Sequence, residues 1–254
     1  MNAATAVFVT AFGAAVGSFL NVCIHRLPLR MSLAWPASHC PACRAPVKPY
    51  DNVPILSYLW LGGRCRSCRT RISIKYPIVE VVTAAVFLAT FLLFDSAMLV
   101  QRLLFASAMI VLFVVDLEHR ILPDVITLPG IVAGFLFSLF LPPGWVSSLI
   151  GLVVGGGSLW LLGEVYFRLR HEEGMGFGDV KMLAMIGAFL GWKLMLLTLV
   201  LSSFIGSVVG VTMILLKRGD MKYALPFGTF LAIGALIASA VGDDIVNWYA
   251  SFYS

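Results

Sequence analysis

Long, almost uncharged apolar blocks constrain this chain more than any other feature it has. Eight can be marked, over residues 3–22, 76–94, 98–115, 125–141, 145–167, 180–192, 194–216 and 225–241, and together they fill most of the 254 positions. Most are near the ~20 residues that a helix needs to cross hydrocarbon. Composition agrees: 60% of residues are hydrophobic, 12% are charged and the mean hydropathy is +0.94, which excludes a water-soluble domain of ordinary make-up. No basic stretch precedes the first block, so it reads as a retained helix rather than a cleaved signal peptide. The expected fold is all-α and polytopic, with about eight transmembrane helices in a lipid bilayer.

A net charge of +5 would suit nucleic acid if it were spread over a soluble face. Instead, nine of the 18 basic residues fall between Arg26 and Lys75, beside the single acid Asp51. Membrane topology explains that bias better, because loops left in the cytoplasm keep an excess of Lys and Arg, and no nucleic-acid partner is expected. With this loop inside, alternation of spans puts sixteen of the 18 basic residues on the cytoplasmic side, Lys217, Arg218 and Lys222 among them. Only Arg102 and Lys193 are left outside, and the N-terminus is outside too. Block 180–192 is short, and segments of ~10–14 residues are more often re-entrant or buried than spanning. It is kept as a short or tilted span with a recessed cytoplasmic end, since otherwise those three basic residues would move outside. Gly155-Gly156-Gly157 lies within a span and reads as a helix-packing face, because it neither follows a strand nor precedes a lysine.

The soluble loop carries Cys40-Pro41-Ala42-Cys43 and Cys65-Arg66-Ser67-Cys68. Two such knuckles can close four thiolates tetrahedrally around one Zn²⁺, with Arg44, Arg64, Arg66 and Arg69 nearby to favour the thiolate form. A pair of disulfides is the competing reading, and a reducing cytoplasm disfavours it. Four protein ligands leave no open position, so the zinc is expected to staple a loop too small to have a core of its own. Cys23, at the end of the first span, reads as a packing residue.

Two acids stand where apolar segments meet water. Gly174-Met175-Gly176-Phe177-Gly178 leads into Asp179, and Asp116 ends the third span on the same expected side. An ionisable residue at such a place is by default a functional candidate, although Asp179 could also simply cap its helix. Two carboxylates close together in a low dielectric cannot both ionise, so one keeps a proton and a water held between them can be activated. Asp124, after Pro123, suits a helix N-cap, while Glu118, Glu172 and Glu173 read as solvated loop charges. His119, one turn past Asp116, could tune it or simply sit at the interface. Asn21, His25, Arg26 and Lys181 read as snorkelling or loop-bonding side chains rather than as binding residues.

Gly17-Ser18-Phe19-Leu20-Asn21-Val22 with His25-Arg26-Leu27-Pro28, the two C-x-x-C pairs, Asp116 with Leu122-Pro123-Asp124, Gly176-Phe177-Gly178-Asp179 with Val180-Lys181, and Pro226-Phe227-Gly228 follow in that order. Together they resemble the bacterial type IV prepilin peptidases. The G-x-G-D element alone also resembles presenilin-type intramembrane aspartyl proteases, and the cysteine loop separates the two. The resemblance implies cleavage of the basic leader of type IV prepilins or pseudopilins, after a glycine, at the cytoplasmic face of the bacterial inner membrane. In many members, methylation of the new N-terminus with S-adenosylmethionine follows. It implies Asp116 and Asp179 as the catalytic pair and Cys40, Cys43, Cys65 and Cys68 as zinc ligands.

The implied organisation is a first helix over 1–25, a Cys₄ zinc-ribbon-like loop domain over 26–75 and a seven-helix peptidase core over 76–254. Carboxylates or aromatic faces are expected around a sulfonium cofactor, but the sequence names no residue for it and carries no dinucleotide-type glycine motif. Thr229 stands where the family commonly has a second proline, a departure with no evident bearing on catalysis. Two readings of other classes stay open on the residues alone: an ion-coupled transporter using the two aspartates, and a zinc-loop scaffold without chemistry.

Overall fold

The computed structural model describes residues 3–172, 176–216 and 225–252. Glu173, Gly174 and Met175, and the basic loop residues Lys217, Arg218 and Lys222, lie outside the described residues. The elements are helical: α1 (Ala3–Arg26), a 3₁₀ turn (Pro49–Asp51), α2 (Leu56–Trp60), α3 (Lys75–Leu93), α4 (Ser96–His119), α5 (Asp124–Ser138), α6 (Trp145–Arg170), α7 (Phe177–Leu215) and α8 (Phe227–Ala250). Six of these are long and apolar enough to cross a membrane, and α5 is apolar but shorter. Blocks 180–192 and 194–216 both fall in α7, which breaks at Gly191, a residue with non-helical φ 77° and ψ 173°. All eight apolar blocks are thus helical, but the helices with the length of a span number six rather than eight among the described residues.

The chain forms two compact units, 1–99 and 100–254. In the first, α1 lies against α3. Gly13 and Gly17 sit one turn apart on the contact face, where a Cβ would come within 2.8 Å of Phe87 Cβ and 2.7 Å of Glu80 Cα. Small residues at this spacing let two backbones approach, which matters in lipid because burying apolar surface between helices is then no driving force. The loop joining the two helices is tied to both. Buried Arg26 on α1 donates to the carbonyls of Ser32 (2.9 Å), Leu33 (3.3 Å) and Pro36 (2.6 Å). Buried Glu80 on α3 accepts the Ile55 N–H at 2.7 Å. Asn21 Nδ2 donates to the Tyr76 carbonyl at 3.0 Å, so Asn21 and Arg26 both serve as backbone-bonding residues.

The second unit is built around the first half of α7. Every residue from Met182 to Leu190 is buried, packed among Phe105, Met109 and Leu112 of α4, Leu159 of α6 and Leu231, Ala232, Ala235 and Ala238 of α8. A helix that is apolar all round and surrounded by protein has no face left for lipid, which accounts for both the shortness and the uniform hydrophobicity of block 180–192. Beyond Gly191 the character changes: Val200, Phe204, Val208 and Leu215 are exposed, as befits a lipid-facing surface. Helix α6 docks on α7 through glycine. A Cβ on Gly151 would stand 2.6 Å from the Gly187 carbonyl oxygen, and one on Gly155 would stand 2.9 Å from that of Leu183. Ser148 Oγ closes the seam by donating to the Ala188 carbonyl at 2.7 Å. Within the glycine triplet, Gly155 and Gly156 face α7, whereas Gly157 has nothing within 4 Å.

Candidate active site and metal site

Each C-x-x-C pair forms the same tight turn. Arg44 N–H donates to the Cys40 carbonyl at 2.8 Å and Arg69 N–H to that of Cys65 at 3.0 Å, with Arg44 (φ 59°) and Arg69 (φ 60°) both left-handed. These turns bring all four sulfurs within 4.8 Å of one another. Cys40 and Cys68 are 3.8 Å apart and Cys43 and Cys65 4.0 Å apart. A tetrahedron with Zn–S bonds of ~2.3 Å has edges of about 3.8 Å, so the cluster fits zinc, and the separations are far beyond a disulfide bond of ~2.05 Å. The Thr70 hydroxyl and N–H hold the Cys68 thiol down to about 6. The N–H groups of Cys43 and Ala42 lower Cys40 as well.

Of the four arginines expected to serve the sulfurs, Arg66 is turned away. It forms a bidentate pair with Asp51, at 2.6 and 2.8 Å, and lies 5.4 Å from the Tyr50 ring centre. Its guanidinium holds the Asp51 carboxyl below the usual carboxylate range. Tyr50, Asp51, Ser57, Trp60, Leu61 and Arg66 line an open cleft of about 370 Å³. Tyr50 and Trp60 give the cleft aromatic faces, and its one carboxylate, Asp51, is paired with Arg66.

Both aspartates lie in the second unit. Asp116 is buried in the last turn of α4, and Asp179 is half-buried in the first turn of α7. Their carboxylates are close enough to interact electrostatically. Asp179 is not the helix cap, because Gly176 holds that position. An acid in the last turn of a helix faces the negative end of that helix's own dipole, so Asp116 needs a donor from elsewhere. The N-terminus of α8 supplies it: Thr229 N–H donates to Asp116 Oδ2 at 2.6 Å and the Thr229 hydroxyl to the same oxygen at 3.0 Å.

Three sequence motifs converge on this point. Leu122 lies between Gly178 and Gly228; a Cβ on either glycine would come within 3.0 or 2.9 Å of its side chain. Among the described residues, Leu122 is the side chain that packs against Gly178, and the only atom near Gly176 is Asp179 Oδ2, at 3.6 Å from an added Cβ. Asp124 does not cap α5, because Pro123 occupies that position; Asp124 instead forms an ion pair with Lys181 of α7. Lys181 also lies 5.1 Å from the Phe177 ring centre, so it is a partnered residue rather than a snorkelling one. Glu118, His119 and Glu172 are exposed, as is His25.

Sequence reasoning missed Thr229 as a partner of Asp116 and Glu80 as an anchor of the loop. Glu80 had a readable signal, a lone acid one turn inside an apolar block. Thr229 stood out only as a departure from the family pattern, which does not name a partner 113 positions away.

The fold is that of a multi-pass membrane protein with two acids, Asp116 and Asp179, brought together in its second unit and a Cys₄ cluster of metal-binding geometry in its first. Residues 11–94 match the bacterial peptidase A24 N-terminal domain, and residues 103–211 match the type IV leader peptidase family. Proteins named prepilin leader peptidase/N-methyltransferase are similar over nearly the whole chain. That of Aeromonas salmonicida strain A449 is 37% identical, covering 94% of this chain and 92% of its own length. That of Aeromonas hydrophila is 38% identical (94% and 91%), and that of Pseudomonas aeruginosa is 36% identical (94% and 91%). The chain belongs to the type IV leader peptidase family. No solved structure gives a comparable match.

Proposed function

We propose that this protein is a membrane aspartic endopeptidase that removes the basic leader of type IV prepilins or pseudopilins at the cytoplasmic face of a bacterial inner membrane, and that it methylates the new N-terminus. The observation that supports the peptidase reading most is that Leu122 packs against both Gly178, next to Asp179, and Gly228, next to the Asp116 carboxylate, so that two acids far apart in sequence come to one place. The orientation rests on the gathering of basic residues in the loop of 26–75 and in the loops on its side.

In the reaction, a water lies between the two carboxyl groups. The ionised member takes its proton while the water oxygen bonds to the scissile carbonyl carbon, and the protonated member hydrogen-bonds to the carbonyl oxygen. Collapse of the tetrahedral intermediate breaks the C–N bond, and the leaving amine takes up a proton from the pair. No covalent enzyme intermediate forms. A prepilin, being an apolar helix behind a cationic leader, can lie among the membrane helices with its scissile bond at their cytoplasmic ends. The missing side chains of Gly176 and Gly178 let an extended substrate backbone come close to Asp179.

Zinc on Cys40, Cys43, Cys65 and Cys68 acts as a structural staple, since four protein thiolates leave no site for substrate. S-adenosylmethionine supplies the methyl group where the second activity operates, and no residue of this chain is assigned to holding it. Co-expression with a type IV prepilin, followed by mass spectrometry of the product, tests the whole reading. Removal of the leader with an added ~14 Da on the new terminus is expected, and an intact leader would refute it.

A further inference from the structure

Asp116 reaches the site with one of its two oxygens fully occupied. A carboxylate oxygen has two lone pairs. Oδ2 receives the Thr229 N–H at 2.6 Å and the Thr229 hydroxyl at 3.0 Å, inside a buried setting in which Thr229 itself is only 4% exposed. Both donors come from a single residue, so they fix the plane of the carboxyl group as well as its position. The main-chain donor is one of the N–H groups that the start of a helix leaves unpaired, here the third residue of α8. Gly228 allows the approach, because a Cβ there would stand 3.0 Å from Oδ2 and 2.9 Å from Leu122 Cδ1.

Resting on the peptidase reading above, we infer that Thr229 is a positioning residue for the reaction: it ties up Asp116 Oδ2 and thereby makes Oδ1 the atom that meets the lytic water. The hydroxyl does this work jointly with the backbone N–H, which no ordinary side-chain substitution removes. Its own share is therefore seen by comparing residues that differ in the hydroxyl alone.

The experiment uses the purified full-length protein in proteoliposomes with a type IV prepilin as substrate. Thr229→Ser and Thr229→Ala differ only by one oxygen. The serine variant is expected to keep kcat within about threefold of the parent, and the alanine variant to lose about ten- to a hundredfold in kcat with KM within about twofold, as for loss of a buried bond to a charged group. Thr229→Val, which keeps the shape of threonine, should match alanine, and it replaces alanine if that variant does not fold by thermal melting. Equal kcat for the serine and hydroxyl-free variants, or a loss confined to KM, would overturn the role of Thr229. Asp116→Asn in the same assay separates the two levels. If it stays active, the aspartate pair itself falls and Thr229 with it; if it is dead while alanine equals serine, only the Thr229 role falls.

Discussion

Lys181 and Asp124 form an ion pair that joins the first turns of α7 and α5. Lys181 follows Asp179 by two positions, and Asp124 opens the helix after the loop that leaves Asp116, so the pair ties together the two stretches that carry the aspartates. Its carboxylate is half exposed, which limits its worth to overall stability to roughly 0.2–1 kcal/mol.

Breaking this pair should therefore cost activity more than stability. Lys181→Ala and Asp124→Ala are each expected to lower turnover about three- to tenfold, with melting temperature nearly unchanged. The exchange of charges, Lys181→Asp with Asp124→Lys, should recover part of the loss. A double-mutant cycle with no coupling in turnover would remove the pair from any role in alignment.

Asp116→Asn and Asp179→Asn should each reduce leader removal by roughly three orders of magnitude or more, because the water then has no base or the carbonyl no acid. Asparagine keeps the volume of the side chain, so both variants should still insert and hold zinc. Cleavage close to the parent rate in either variant would take that aspartate out of the reaction.

One zinc per chain is expected by elemental analysis of the purified protein, and replacement of the four cysteines by serine should abolish it. The main consequence should be proteolytic sensitivity of residues 26–75, with prepilin cleavage retained wherever the membrane helices stay folded. A folded, zinc-free variant devoid of cleavage would argue for metal in the chemistry.

Acid should dismantle the loop in a set order. The thiolates must protonate to release zinc, and this occurs as pH falls below neutrality. Asp51, whose carboxyl is held low by Arg66, contributes stability above its unfolded value near ~3.9 and loses it only as pH falls through its lower folded value. Zinc release should thus precede loss of the Asp51–Arg66 pair, and Asp51→Asn should leave the pH midpoint of zinc release unmoved. A zinc-sensitive dye read across a pH titration decides it.

Glycine should matter by contact rather than by count. Gly151→Ala places a methyl group against the Gly187 carbonyl, a backbone atom that cannot turn aside, and should destabilise the α6–α7 seam by about 1–3 kcal/mol. Gly157→Ala meets nothing within 4 Å and should be neutral or slightly stabilising in its helix. Equal thermal stability of the two variants would contradict the packing.

Several parts of this molecule could be read without coordinates because each leaves a local mark on the chain. The helical blocks declare themselves by length and hydropathy, the Cys₄ site by two short spacings, and Asp116 and Asp179 by being acids at the ends of apolar segments. The break at Gly191 lies where block 180–192 gives way to 194–216. Asp124 misled because a residue after proline at a helix start resembles a cap, and its ion-pair partner is 57 positions away.

Sequence alone determined which segments are helical, which four cysteines can cluster and which two acids are candidates, since each is a property of a short stretch. Tertiary structure alone decided that the first half of α7 is the enclosed helix, that Glu80 and Arg26 hold the loop, and that Thr229 carries Asp116. The reason lies in the solvent: in lipid, a side chain facing acyl chains and one facing another helix are equally apolar, so hydropathy cannot tell them apart. Which surfaces meet is settled by small residues and by a few polar bonds spanning a hundred positions, and these exist only once the helices are side by side.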